Sequence, residues 1–196
     1  MNLNAEKQKW RDSIKSSLKA AREQQPLMQE GFSRSLQLFL KQQTGLWSAY
    51  QALTDEVSVL KAVSDSRHLQ WAFPRVIGNE LEFCFPKIFV KGPWGILEPS
   101  ADSPICEVRS LTGMLIPGLG FSKQGHRLGR GKGFFDRALS QHQGLKVGVC
   151  FDLQLFDEEL PFEEHDVAMD WIITENLWVD CIKKEVHPWK SLSPLS

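Results

Sequence analysis

The residues from Gly125 to Arg137 read GHRLGRGKGFFDR. Four glycines stand among five basic or imidazole side chains (His126, Arg127, Arg130, Lys132, Arg137) and a single acid, Asp136. Gly129, Gly131 and Gly133 alternate with Arg130 and Lys132. Glycine takes positive φ at no steric cost, so such a run can turn several backbone N–H groups towards one anion. Arginine grips phosphate oxygens in pairs, and lysine supplies a point charge. Asp136, about one helical turn beyond, is placed to hold Mg²⁺ on a bound polyphosphate. The segment therefore reads as a phosphate cradle, but not a common one. Lys132 is followed by Gly133 where a Walker loop needs Ser or Thr, and the glycines are spaced GxGxG, not GxGxxG. A solvated glycine-rich turn with incidental basic residues is the competing reading.

A cradle needs a frame. Residues 5–25 are helical in composition, with Trp10, Ile14, Leu18 and Ala21 on one face, and Pro26 ends or interrupts the helix. A second helix is expected over 30–43, with Phe32, Leu36, Phe39 and Leu40 on its apolar side. GLWSAYQAL reads as a buried strand and its exit, and Thr54 as the cap of a helix that begins at Asp55. HLQWAFPRV looks like a strand stopped by Pro74; ELEFCFP and the segment to Val90 look like a hairpin, and GPWGILEPS like a loop. Met114–Ile116 is a short strand stopped by Pro117. The quoted loop follows, and then a helix from about Gly131 to Gln143. KVGVCF (146–151) and DWIITE (170–175) complete the strands. Alternating strands and helices predict an α/β fold: a three-layer αβα, Rossmann-like, mostly parallel sheet in a single domain (1–196) with N-terminal helices. In such sheets ligands sit beyond the carboxyl ends of the strands, which is where the quoted loop falls.

Composition narrows the function. Lys plus Arg is 23 and Asp plus Glu is 24, a net charge of -1, so bulk nucleic-acid binding is not expected and the positive charge of the loop is local. No apolar run approaches the ~20 residues of a membrane span, and the N-terminus lacks the apolar core of a signal peptide. Cys84, Cys106, Cys150 and Cys181 are scattered in apolar surroundings without a CxxC pair and read as buried thiols. His126 and His165 lack a third ligand at a metal spacing. The expectation is a monomeric cytoplasmic protein with small-molecule ligands, without nucleic-acid or membrane partners.

PGLGF (117–121) followed by GHRLGRGKGFFD (125–136) resembles the ATP-binding segment of the 5-formyltetrahydrofolate cyclo-ligase family. Four further elements agree in order: KQKWR (7–11), Glu56 after an apolar strand, GILEP (95–99) and HDVAMDWIITE (165–175). The resemblance implies a fold of the CoA-transferase-like kind. It also implies an ATP- and Mg²⁺-dependent ligase that cyclises 5-formyltetrahydrofolate to 5,10-methenyltetrahydrofolate and releases ADP and phosphate. Phosphorylation of the formyl oxygen and attack by N10 would suffice without a protein nucleophile, so the protein must align two ligands and neutralise charge. On this resemblance Lys7, Arg11 and the run Arg127, Leu128, Gly129, Arg130, Gly131, Lys132, Gly133, Phe134 and Phe135 would bind ATP, with Arg130 and Lys132 assisting catalysis. Asp136 and Asp166 would hold Mg²⁺. Glu56, Gln51, Trp94 and Arg11 would contact the folate. The chain departs from the family where Phe134 and Phe135 replace a Tyr pair, Ser122 replaces Asp, and Ser58 replaces Thr. The lost hydroxyls keep a second reading open, a folate- or nucleotide-binding relative without turnover. A third is an ATP-dependent enzyme of the same fold acting on another small amide.

Overall fold

The computed structural model describes residues 2–93, 95–163 and 166–191. The chain begins with α1 (Leu3–Ala20), whose first turn is capped by Asn2: its Oδ1 accepts the N–H of Asn4 (3.1 Å). Ile14 and Leu18 are the buried stripe of this helix. Helix α2 (Gln25–Leu40) starts five residues earlier than expected, because Pro26 lies in its first turn. A helix leaves its first N–H groups unpaired, so proline starts this helix and does not interrupt the one before it. Phe32, Leu36, Phe39 and Leu40 are buried, as their spacing predicts.

After α2 come β1 (Leu46–Ser48), α3 (Leu60–Asp65), β2 (Gln70–Ile77), β3 (Glu80–Cys84), β4 (Phe89–Lys91), β5 (Leu97–Pro99), β6 (Ile105–Cys106) and β7 (Gly113–Pro117). The second half holds β8 (Gly120–Ser122), β9 (Arg127–Leu128), α4 (Phe134–Leu139), β10 (Leu145–Val149), β11 (Leu155–Phe156), β12 (Trp171–Ile173), β13 (Leu177–Asp180) and β14 (Glu185–Pro188). Among the described residues nine strands make one sheet in the order β14-β13-β12-β10-β7-β1-β2-β3-β6. Its five central strands, β12 to β2, are parallel. Antiparallel strands finish both ends. The largely parallel α/β sheet is thus as the sequence implies.

Strand β7 shows how the layers form. Met114 and Ile116 face one buried cluster, and Leu115 faces the other. The Leu115 side is covered by α1, α2 and α3. Among the described residues the opposite side is covered by the short α4, by β8 and β11 of the small sheet, and by loop residues such as Met169. All four cysteines are buried free thiols, and burial pushes Cys181 up to about 12.

Several local expectations give way. Pro74 lies inside β2, paired with Phe83 of β3. Within β2, strand β1 pairs with residues 70–72, so on its side no ladder bond is lost at Pro74. Strand β3 returns on β2, while β4 pairs with β5 out of the segment expected to be loop. No helix begins at Asp55; helix resumes only at Leu60, and Asp55 and Glu56 are instead paired with Arg130. The helix after the glycine run is confined to Phe134–Leu139, since Gly131 (φ 92) and Gly133 (φ 70) are left-handed. DWIITE is not the last strand; β13 and β14 follow it.

Candidate active site

Strand β1 leads through α3 to β2 on one side of the sheet, and the chain later returns to β7 on the other. The strand order therefore reverses between β1 and β7, and a crevice is expected beyond their carboxyl ends. A cavity of about 470 Å³ lies there. Pro117 and Gly118 border it at the end of β7, and Tyr50 and Gln51 just past β1. One part of the lining is cationic, with Lys15, Arg127, Arg130 and Lys132; another is apolar, with Pro74, Val76, Leu81, Ile96 and Leu97. Glu56, Glu98 and Asp136 are its acids.

The glycine run makes the cationic wall. Strand β9 anchors it, because the Leu128 side chain is buried in the core and its carbonyl accepts the N–H of Leu119 (2.9 Å). Leu128 is therefore not part of the cavity lining. Gly129, Gly133, Phe134, Phe135 and Asp136 line the cavity. Gly131 lies instead against α1, where an added Cβ would stand 3.5 Å from Arg11. Arg11 itself donates from Nε to the Gly129 carbonyl (3.0 Å) and so ties α1 to the run.

The cations named from the sequence have protein partners. Arg127 is paired with Asp136 and donates from Nη1 to the Pro117 carbonyl (3.1 Å), beneath the ring of Phe135 (5.9 Å to the centroid). Phe134 in turn lies under Arg137 (5.4 Å). Arg130 is paired with Asp55 and, through Nε, with Oε1 of Glu56 (2.9 Å). Burial opposes the Arg130 charge, but these two carboxylates outweigh it and raise its pKa above the ordinary arginine value. Lys7, buried on α1, donates to Glu163 (2.7 Å) and Asp166 (2.9 Å). Burial again opposes the charge, and the two acids hold the lysine pKa above its usual range.

Glu56 is positioned by its loop. The Tyr50 hydroxyl donates to the Val57 carbonyl (2.8 Å). Gln29 of α2 clamps Ser58, giving its Nε2 to the carbonyl and taking the N–H on Oε1, both at 2.8 Å. Glu56 Oε2 accepts the N–H of Leu53 (3.0 Å).

Of the expected residues, Gln51, Glu56 and most of the glycine run meet at this cavity. Lys7 and Asp166 meet each other but are not part of its wall. Trp94 and His165 lie outside the described residues. Two charged wall residues escaped the sequence reading. Lys15 continues the stripe Lys7–Arg11 by one more turn, a spacing that signals it. Glu98 stood in the GILEP element without a role.

A Mg²⁺ ion held in a polyphosphate site needs only one or two carboxylates, with phosphate oxygens and water completing its shell. Asp136 fits: Arg127 engages Oδ1, and among the described residues nothing engages Oδ2 on the cavity side.

Residues 4–175 match the description "5-formyltetrahydrofolate cyclo-ligase family". The chain belongs to that family. A mouse 5-formyltetrahydrofolate cyclo-ligase is 37% identical over 95 residues, 44% of this chain and 46% of the mouse protein. A probable 5-formyltetrahydrofolate cyclo-ligase of Schizosaccharomyces pombe is 30% identical over 126 residues, 52% and 59% of the two chains. The chain thus spans about half the length of the curated relatives it matches. An Aquifex aeolicus 5,10-methenyltetrahydrofolate synthetase structure superposes with a TM-score of 0.76 at 27% identity, over 89% of this chain and 92% of that one. A Mycoplasma pneumoniae 5,10-methenyltetrahydrofolate synthetase, at 22% identity and a TM-score of 0.67, shares the fold over 89% and 99%. The glycine run, with its Phe pair, is this cyclo-ligase-family member's cationic wall.

Proposed function

We propose that the chain catalyses the ATP- and Mg²⁺-dependent cyclisation of 5-formyltetrahydrofolate to 5,10-methenyltetrahydrofolate, with release of ADP and phosphate. The observation that carries this is one cavity with two unlike walls. A cationic glycine run suits a triphosphate, and an apolar wall with buried carboxylates suits a flat heterocycle rich in N–H donors. The γ-phosphoryl group passes to the formyl oxygen and makes it a leaving group. N10 attacks the formyl carbon, the N10 proton is lost to solvent, and phosphate departs with the former carbonyl oxygen. Arg130 and Lys132 neutralise charge on the transferred group, and Arg11 braces the run from α1. Glu56, with Gln51 beside it, accepts from pterin N–H groups. Asp136 would hold Mg²⁺, with Asp166 contributing from the Lys7 side; the ion supplies charge neutralisation on the phosphates.

The 196-residue chain acts as one domain, a cytoplasmic monomer that needs neither nucleic acid nor membrane. Among the described residues no helix is long and apolar enough to cross a membrane. The test is an absorbance assay with purified protein, Mg·ATP and 5-formyltetrahydrofolate in mildly acidic buffer. The near-ultraviolet band of the methenyl product should grow, should require ATP, and should vanish in Lys132→Ala and Asp136→Asn. Folate binding with no band would favour the non-catalytic relative and implicate Phe134 and Phe135.

A further inference from the structure

Glu98 is only 6% exposed, yet it belongs to the cavity wall. Its Oε2 accepts the N–H of Val76 (3.2 Å) across from β5 to β2. Among the described residues no protein donor reaches Oε1, and the residue lines the cavity. The backbone makes room for it: a Cβ on Gly92 would collide with the Glu98 carboxyl group. Arg75, held by Glu82 and by the Ser100 carbonyl (2.6 Å), lies close enough to sense the Glu98 charge. Around the acid the wall is otherwise apolar.

A carboxylate oxygen in such surroundings costs free energy unless a donor meets it. Polyphosphate cannot be that partner, since it has no donors and carries the same sign of charge. The cationic wall is therefore the phosphate side, and Glu98 marks the side of an N–H-bearing ring. We propose that Glu98 is a substrate-recognition residue that accepts a hydrogen bond from an N–H group of the pterin, in addition to Glu56. This rests on the cyclo-ligase reading above. A reduced pterin offers donors at N3, at N8 and at the 2-amino group. Glu56 alone cannot take them all, because its two oxygens already serve the Leu53 N–H and Arg130. Glu98 is an acceptor on the apolar part of the same cavity, away from the cationic run, that still has an oxygen to give.

The test is Glu98→Gln. Glutamine can still accept the Val76 N–H on its carbonyl oxygen, but turns an NH₂ donor to the cavity where an acceptor stood. Calorimetric titration should show 5-formyltetrahydrofolate bound at least tenfold more weakly, with ATP affinity within about twofold of wild type, as a lost hydrogen bond to a charged group implies. Folate analogues lacking the 2-amino group or the N8 hydrogen separate recognition from mere support of the wall. At least one should bind wild type less well than the parent folate, yet bind the variant no worse than the parent does. Unchanged folate affinity in Glu98→Gln, or analogue penalties that persist in full, would overturn the assignment. Should that variant melt early, Glu98→Asp, which keeps the charge but withdraws it by one methylene, supports the same comparison. Wild-type protein that binds no folate would overturn the cyclo-ligase reading and this one with it. Wild-type binding matched by the variant overturns this one alone.

Discussion

Removing Arg130 should move the two ligands in opposite directions. Its guanidinium bridges Asp55 and Glu56, so the group proposed to meet phosphate also covers the group proposed to meet the pterin. Two unit charges about 4 Å apart attract by about 4 kcal/mol at the effective dielectric of a protein surface. Arg130 and Asp55 are about a third exposed, 31% and 30%, and Glu56 only 8%. Screening and desolvation therefore reduce the net worth of the pair to about 1 kcal/mol. In Arg130→Ala that cost no longer opposes the pterin, and 5-formyltetrahydrofolate without nucleotide should bind about fivefold more tightly. ATP loses a charge-assisted contact of about 1.5–3 kcal/mol and should bind roughly 10- to 150-fold more weakly. Separate titrations of each ligand by calorimetry read both numbers, with Glu56→Gln as the control that weakens folate and spares ATP. Weaker folate binding in Arg130→Ala would refute the reasoning, because Arg130 would then be a folate contact and not a competitor. By linkage, a wild-type protein in which ATP draws Arg130 away should bind folate more tightly with nucleotide present, and the reverse by the same factor.

Two further outcomes concern stability. Burial, with the nearby Asp152 charge, pushes Glu175 up to about 7 from an ordinary 4.5. Between those values the folded chain holds a proton the unfolded chain has released, so stability falls as pH rises from about 4.5 to about 7. Glu175→Gln keeps an acceptor for the Asp152 N–H (2.8 Å) and removes the titration. With partial solvation allowed for, it should gain about 1–2 kcal/mol, a rise of about 3–6 °C in Tm at pH 8 and little at pH 4.5 by scanning calorimetry. An equal gain at both pH values would point to a cause other than the proton. Gly113 sits beside the buried Trp47 in the β1–β7 pairing, and a Cβ there would stand 2.6 Å from the indole. Gly113→Ala should lose about 1–3 kcal/mol of stability, seen as a lower urea midpoint, and an unchanged midpoint would show that the indole can move aside.

The parts legible in the sequence are those decided by local chemistry. The buried faces of the first two helices and the parallel central sheet follow from residue type and spacing, whereas the left-handed Gly131 and Gly133 delay a helix expected from about Gly131. What escaped depends on neighbours distant in sequence. Pro74 is tolerated because β1 ends beside it, which no property of HLQWAFPRV reveals. Where a helix is expected from Asp55, Glu56 is instead paired with Arg130, 74 residues away. Glu98 looked like one residue of a loop, and only the β4–β5 pairing and Gly92 make it a wall of the cavity.

The pairing of Lys7, Arg127 and Arg130 with acids bears on what the cradle can select. A cluster of bare cations would repel itself and attract any anion. Here each of these cations is paired with one or two carboxylates, so an incoming anion competes with them for the cation. A single small anion can make one such exchange at Arg130 and gains little, because it trades one charge-assisted bond for another. A triphosphate can engage Arg130, Lys132 and the backbone of the run together, and its later contacts come without the translational cost of a new association. If Arg130 turns to phosphate as proposed, the exchange would also uncover Glu56, so a nucleotide long enough to complete it would prepare the proposed acceptor for the second ligand. On this account the paired network would discriminate twice, against short anions at the loop and against folate arriving without its phosphoryl donor.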